Sequence, residues 1–226
     1  MKYRIDGGNL PVVKIWLESG ESIECEAGAM SWMDDEIEMQ TKAGGIGKMF
    51  GRMLTNENAF TNTYIANRSG EIAFSSKFPG SIMAIEVTES KGIIVQKGSF
   101  LASYGNVQNE VYIQKRLGGG LFGGEGFLMR RFYGRGLVFL EIDGSAHTYD
   151  ISAGDSKIID TGYVAAMDES CQMEIQTVKG VGNILFGGEG LFNTVVRGPG
   201  KVILQSMPIA STAMQLYRYM PHPTSN

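Results

Sequence analysis

His147 and His222 are the only histidines of the chain, and Cys25 and Cys171 its only cysteines. A zinc or iron centre needs three or four such ligands, or carboxylates in their place, converging on one point. His222 sits between Pro221 and Pro223 near the end of the sequence, and His147 has no second histidine nearby. No Cys-x-x-Cys pair occurs, so neither a metal site nor a disulfide framework is expected.

Ser145, His147 and Asp150 have the side chains of a nucleophile, a base and an orienting acid. Three such groups crowded into one strand or turn rarely meet in space, and the segment after Gly144 reads as a polar turn. Gly45-Ile46-Gly47-Lys48 lacks the spacing of a phosphate loop and the helix that should follow one. Asp34-Asp35-Glu36 and Asp168-Glu169 follow Met33 and Met167 and offer oxygen ligands for a hard cation. Without an Asp-x-Asp-x-Asp-Gly loop they read as solvated turns. Together these residues predict a protein that is not an enzyme and holds no cofactor or metal.

The elements that position these residues come from an internal repeat. Three segments share one order of events: an alternating strand, a lone glycine, a strand ending in Gln, a glycine cluster, Phe-Gly, and a further strand. The first runs through Val12 to Leu17, Gly28, Gln40, Gly44-Gly45, Phe50-Gly51 and Glu71 to Phe74. The second has Ile82 to Val87, Gly98, Gln114, Gly118 to Gly120, Phe122-Gly123 and Leu137 to Leu140. The third has Ile158-Ile159, Gly162, Gln176, Gly180 with Gly182, Phe186-Gly187 and Val202 to Leu204. Leu-Phe-Gly-Gly-Glu-Gly stands at the same place in the second and third, from Leu121 and from Leu185.

Apolar residues alternate with period two and no long helical stripe appears, so the chain reads as all-β. One structural unit spans 1–226, with repeats at about 10–79, 80–143 and 144–208 and a C-terminal tail at 209–226. In the tail Ser211 is placed to cap a short helix through Ala213, Met214 and Leu216, stopped by Pro221. Closing three consecutive units on themselves would remove exposed strand edges. The expected architecture is therefore a pseudo-threefold, double-stranded β-helix-like sandwich or barrel prism with a short C-terminal helix.

Composition narrows the partners. A net charge of −4 disfavours nucleic acid, which demands a clustered basic surface. Arg130, Arg131 and Arg135 form the one tight basic cluster; neighbours 130 and 131 should point to opposite faces of a strand, at a solvated hairpin end. No apolar run is long enough to span a bilayer, and Met1 to Asp6 lacks a signal-peptide core. A cytoplasmic location is expected, with a membrane surface open as a partner.

The run Gly28-Ala29-Met30-Ser31-Trp32-Met33, the stretch from Gly44-Gly45 to Phe60-Thr61-Asn62-Thr63, and Gly187-Gly188-Glu189-Gly190-Leu191-Phe192-Asn193-Thr194 resemble the altered inheritance of mitochondria 24 family, in its bacterial and archaeal form. The resemblance covers most of the chain. It implies a fold similar to the tryptophan RNA-binding attenuator protein, a β-helix-like sandwich that assembles into rings. The link of the mitochondrial relatives to inner-membrane organisation implies an assembly role rather than catalysis.

The glycine segments carry apolar side chains where loops are ordinarily polar: Met49, Phe50 and Met53, then Leu121, Phe122 and Phe127, then Leu185, Phe186 and Phe192. Repeated three times, they would make an adhesive surface for another subunit, a partner protein or a membrane. The same residues could instead fill the core of each repeat. The leading expectation is a noncatalytic interaction or assembly protein, working as a homo-oligomer, a trimer or a dimer of trimers. RNA binding by an attenuator-like fold, or a small ligand held inside a β-barrel, are the alternatives.

Overall fold

A computed structural model of the chain describes residues 1–40, 61–115, 127–177, 192–217 and 219–220. Among these residues the protein is built from strands, with one α-helix at the C-terminal end. A leading strand β1 (Lys2–Asp6) precedes the first copy, which comprises β2 (Val12–Leu17), β3 (Ser22–Glu26), β4 (Met30–Met33), β5 (Ile37–Gln40), β6 (Thr61–Ala66) and β7 (Gly70–Ser75). The second copy has β8 (Gly80–Val87), β9 (Ile93–Gln96), β10 (Phe100–Lys115) and β11 (Phe127–Asp143). The third has β12 (Ala146–Ile151), β13 (Ser156–Asp160), β14 (Val164–Asp168), β15 (Gln172–Thr177), β16 (Phe192–Arg197) and β17 (Gly200–Gln205), and helix α1 (Ile209–Tyr217) follows.

One pairing plan recurs three times. In the first copy β2 and β4 flank β7, while β3 and β5 flank β6, all antiparallel. In the third copy β12 and β14 flank β17, and β13 and β15 flank β16. The second copy makes the same contacts with fewer, longer strands: β11 serves in place of both β6 and β7, and β10 in place of both β4 and β5. The local sequence explains the difference. Where the first and third copies break their strands at Asp34 and Asp168, the second has Tyr104 followed by Gly105. Gly105 adopts φ +96°, and a Cβ on its partner Gly136 would collide with the Tyr104 carbonyl, so glycine lets both strands bend without interruption.

Each copy also carries a β-bulge at the same place, between Met30 and Trp32, Phe100 and Ala102, and Val164 and Ala166. A bulge inserts one extra residue and sharpens the twist there. The alternation read from the sequence appears directly in β2, where Val13, Ile15 and Leu17 point into the core. Large side chains such as Phe74, Phe127, Phe132 and Phe139 are fully buried, each contributing about 1.5–3 kcal/mol.

Among the described residues the expected closure into a double-stranded β-helix-like sandwich or barrel prism does not occur. The sheets run β1-β2-β7-β4, then a large sheet β12-β17-β14-β9-β11-β10-β3-β6-β5 with β8 also on β11, then β13-β16-β15. Successive copies join where β10 meets β3 and where β14 meets β9, and β4 and β13 each end a sheet. The three apolar clusters follow the same order: one packs first-copy residues with Ile82, Leu101, Ala102 and Phe139 of the second, and the other two pack second with third. Among the described residues the sheets end on β1 and β4, β12 and β5, and β13 and β15, and each of these edge strands is only four to six residues long.

The C-terminal helix is present but starts at Ile209, ahead of Ser211. Its first N–H is met from outside, by the Asp143 carboxylate at 2.8 Å, which does the work expected of a local cap. Pro221 lies outside the described residues.

Candidate functional site

Seven of the apolar residues expected to form an interaction surface, Met49, Phe50, Met53, Leu121, Phe122, Leu185 and Phe186, lie outside the described residues. The strands that flank each glycine segment pair with one another: Gln40 with Thr63, Lys115 with Phe127, and Thr177 with Phe192. Phe127 opens β11 and is fully buried among Met129, Ile151 and Val196. Phe192, at the start of β16, is half-buried. The structure thus puts Phe127 in the chain's own core and Phe192 at its margin.

Among the described residues the groups weighed for chemistry do not converge, and Gly45 to Lys48 and His222 lie outside those residues. His147 and Asp150 are exposed along β12, and the Ser145 amide instead bonds the Ser206 hydroxyl at 2.8 Å. No cluster of three or more His, Cys, Asp or Glu suited to a metal occurs among the described residues. Cys25 and Cys171 are both buried thiols, and burial pushes the Cys25 thiol up to about 12. The two acidic turns play matching structural parts: an Asp34 carboxylate oxygen accepts from the Glu71 amide at 2.7 Å and one of Asp168 from the Lys201 amide at 3.0 Å.

Two polar features were not foreseen. An open cleft of about 740 Å³, where β9, β10 and β11 meet the Asp168-Glu169 turn, is crossed by Arg131. Its guanidinium donates to Glu169 at 2.9 Å and to Glu110, its cross-strand neighbour, at 3.1 Å. Burial opposes the Glu169 charge, but the bonds from Arg131 and the Gly92 amide outweigh it and hold the carboxyl below its ordinary range. The basic cluster is therefore not a hairpin end. It lies mid-strand in β11, with Arg130 buried, Arg131 tied to carboxylates and Arg135 exposed.

The other feature is Glu141. It accepts from the Lys77 amide at 3.0 Å and faces the Lys77 ammonium, which also binds Glu26, across the seam between first and second copies. Burial dominates and pushes its carboxyl up to about 7 despite these partners. No local sequence signal marks either feature, because both depend on which strands become neighbours.

The clearest irregularity among the repeats is on β4 and β13, two of the strands that end sheets. Trp32 on β4 is 46% exposed, while Ala102 and Ala166, which follow the matching bulges, are 0% exposed. Ile158 on β13 is 69% exposed, while Ile94, its counterpart on β9, is 1% exposed. Alignment of the three copies on their bulges would have exposed the tryptophan standing where the others have alanine.

Comparison with known proteins gives three findings. The family model described as mitochondrial biogenesis AIM24 matches residues 3–207. An uncharacterized protein of Streptococcus pyogenes serotype M6 is 30% identical over 231 residues, covering 98% of this chain and 92% of the relative. The crystal structure of protein SPYM3_0169 from Streptococcus pyogenes superposes with a TM-score of 0.81 at 28% identity, covering 97% of this chain and 99% of that one.

Proposed function

The chain belongs to the AIM24 family, and from that premise we propose that it is a noncatalytic interaction protein that works by assembling through apolar surface. The observation that carries this reading is the distribution of exposed apolar side chains. Trp32 and Ile158 stand on sheet ends, and Ile209, Met214, Leu216 and Tyr217 stand on α1, a helix with no buried residue. Exposed apolar side chains also stand on β1, β5, β10 and β12, but those on β4 and β13 sit where the matching strands of the other copies are covered, the mark of a surface that another molecule covers. Homo-oligomerisation, as a trimer or a dimer of trimers, and a cytoplasmic location belong to the same proposal.

A membrane surface is the second partner considered. With a net charge of −4, attraction to anionic lipid would be weak, so contact would rest on apolar burial alone. No helix among the described residues is long and apolar enough to cross a membrane. Light scattering on the full-length protein, with flotation on phosphatidylcholine vesicles, tests the reading. An oligomer at micromolar concentration, or protein floating with the vesicles, is expected. A monomer that floats with no vesicle would contradict it. Salt-sensitive binding of single-stranded RNA would transfer the protein to the attenuator-like alternative.

A further inference from the structure

The joints between copies share one register. Where β10 meets β3, Ala102 faces Cys25, Ser103 faces Glu24 and Tyr104 faces Ile23. Where β14 meets β9, Ala166 faces Val95, Met167 faces Ile94 and Asp168 faces Ile93. The bulges make Trp32 the counterpart of Ala102 and Ala166. Gly28, Gly98 and Gly162, each three residues further on, make Ile159 the counterpart of Cys25 and Val95. Applied to β4 and β13, which end their sheets while their counterparts in the other copies are paired across a joint, the rule sets Trp32 against Ile159, Met33 against Ile158 and Asp34 against Lys157.

We propose that β13 of one molecule pairs antiparallel with β4 of a second copy of this chain in that register. The inference rests on the interaction reading above and names its partner. Both halves of the joint are carried by the same chain, so a second copy supplies each edge with the strand that its counterparts already have. The residues are complementary: Trp32 and Met33 meet two isoleucines, and the third pair, Asp34 with Lys157, brings opposite charges together where the existing joints have Tyr104 with Ile23 and Asp168 with Ile93. Main-chain bonds along the edge supply affinity and the alternate side chains supply register. No apolar cluster among the described residues joins the first and third copies, and β4 and β13 are not paired within the chain. The contact is head-to-tail, and successive molecules build either a ring or an open filament.

Disulfide trapping on the full-length protein tests the pairing. Facing Cβ atoms of an antiparallel pair lie about 4.5–5.5 Å apart, near the reach of a disulfide. Met33→Cys protein and Ile158→Cys protein are mixed under mild oxidation, with the buried native thiols silent. The mixture should give a covalent dimer and each variant alone only background, because Met33 does not meet Met33 in a head-to-tail joint. The variant carrying both cysteines should give a ladder of linked chains. Lys157→Glu, which would set a like charge against Asp34, should weaken association about fivefold. Background cross-linking in a protein that still oligomerises by light scattering would overturn this interface and leave the interaction reading intact. An internally linked monomer from the double-cysteine variant would show that the edges meet within one chain, and would overturn the proposal as well. A monomer that binds no vesicle would remove both this inference and the reading it rests on.

Discussion

Ile94 and Ile158 occupy matching places in successive copies, yet the first is sealed beneath Met167 and the second stands 69% exposed. The same contrast separates Ala166 from Trp32. What differs is the neighbour. Between the second and third copies the sheet continues across β9 and β14, so side chains there are core. At β4 and β13 the same strand types end their sheets, and the residues there are either surface or the seat of another molecule. An internal repeat thus copies an element without copying its environment, and the copy left unpaired is where function is most readily carried.

The largest effect should come from truncating the two isoleucines in turn. Ile94→Ala removes a fully buried side chain and should cost about 2–5 kcal/mol in urea unfolding. Ile158→Ala should change monomer stability by no more than about 0.5 kcal/mol and instead weaken association. Equal losses of stability in both variants would break the comparison, since they would mean that β13 is already covered within its own chain.

Glu141 sharpens it from the sealed side, at the seam of the first and second copies. Its folded-state pKa is raised, so the folded protein holds this proton to higher pH than the unfolded chain does. The group's contribution is fully present below the ordinary carboxylate value, lost as pH climbs to about 7, and flat above. Glu141→Gln should therefore stabilise the protein by about 1–3 kcal/mol at pH 8 and by little at pH 4. Thermal unfolding at both values checks this, and a variant destabilised at pH 8 would show that the Lys77 ion pair outweighs burial. Smaller in energy but easy to read, Cys25 at the same seam should resist thiol reagents at pH 7.5 until the protein unfolds, because burial holds it protonated.

Much of the strand content was legible in the sequence, because alternation in segments such as Val12 to Leu17 reports burial on one face. The recurring order of strand, lone glycine and strand ending in Gln matched a repeated strand architecture, while the Phe-Gly pairs lie outside the described residues. Closure was not legible. It depended on whether β4 and β13 meet within one chain, and side chains in Met30 to Met33 and Ser156 to Asp160 that suit each other do not decide between one chain and two. Arg130 and Arg131 were correctly expected to face opposite ways, but their place inside a seventeen-residue strand and the carboxylates around Arg131 required the cross-strand register. Helix α1 was foreseen in kind and misplaced at its start, since its cap comes from Asp143 on a distant strand.

Amide hydrogen exchange as a function of protein concentration tests the central claim most directly, because pairing at an edge protects the backbone N–H groups there. The outward-facing amides of β4 and β13, those not bonded to β7 or β16, should exchange fast in dilute protein and gain protection together as concentration rises, while those of β9 and β14 stay protected throughout. Protection at β4 and β13 that is indifferent to concentration, in protein shown to oligomerise across the same range, would contradict the account.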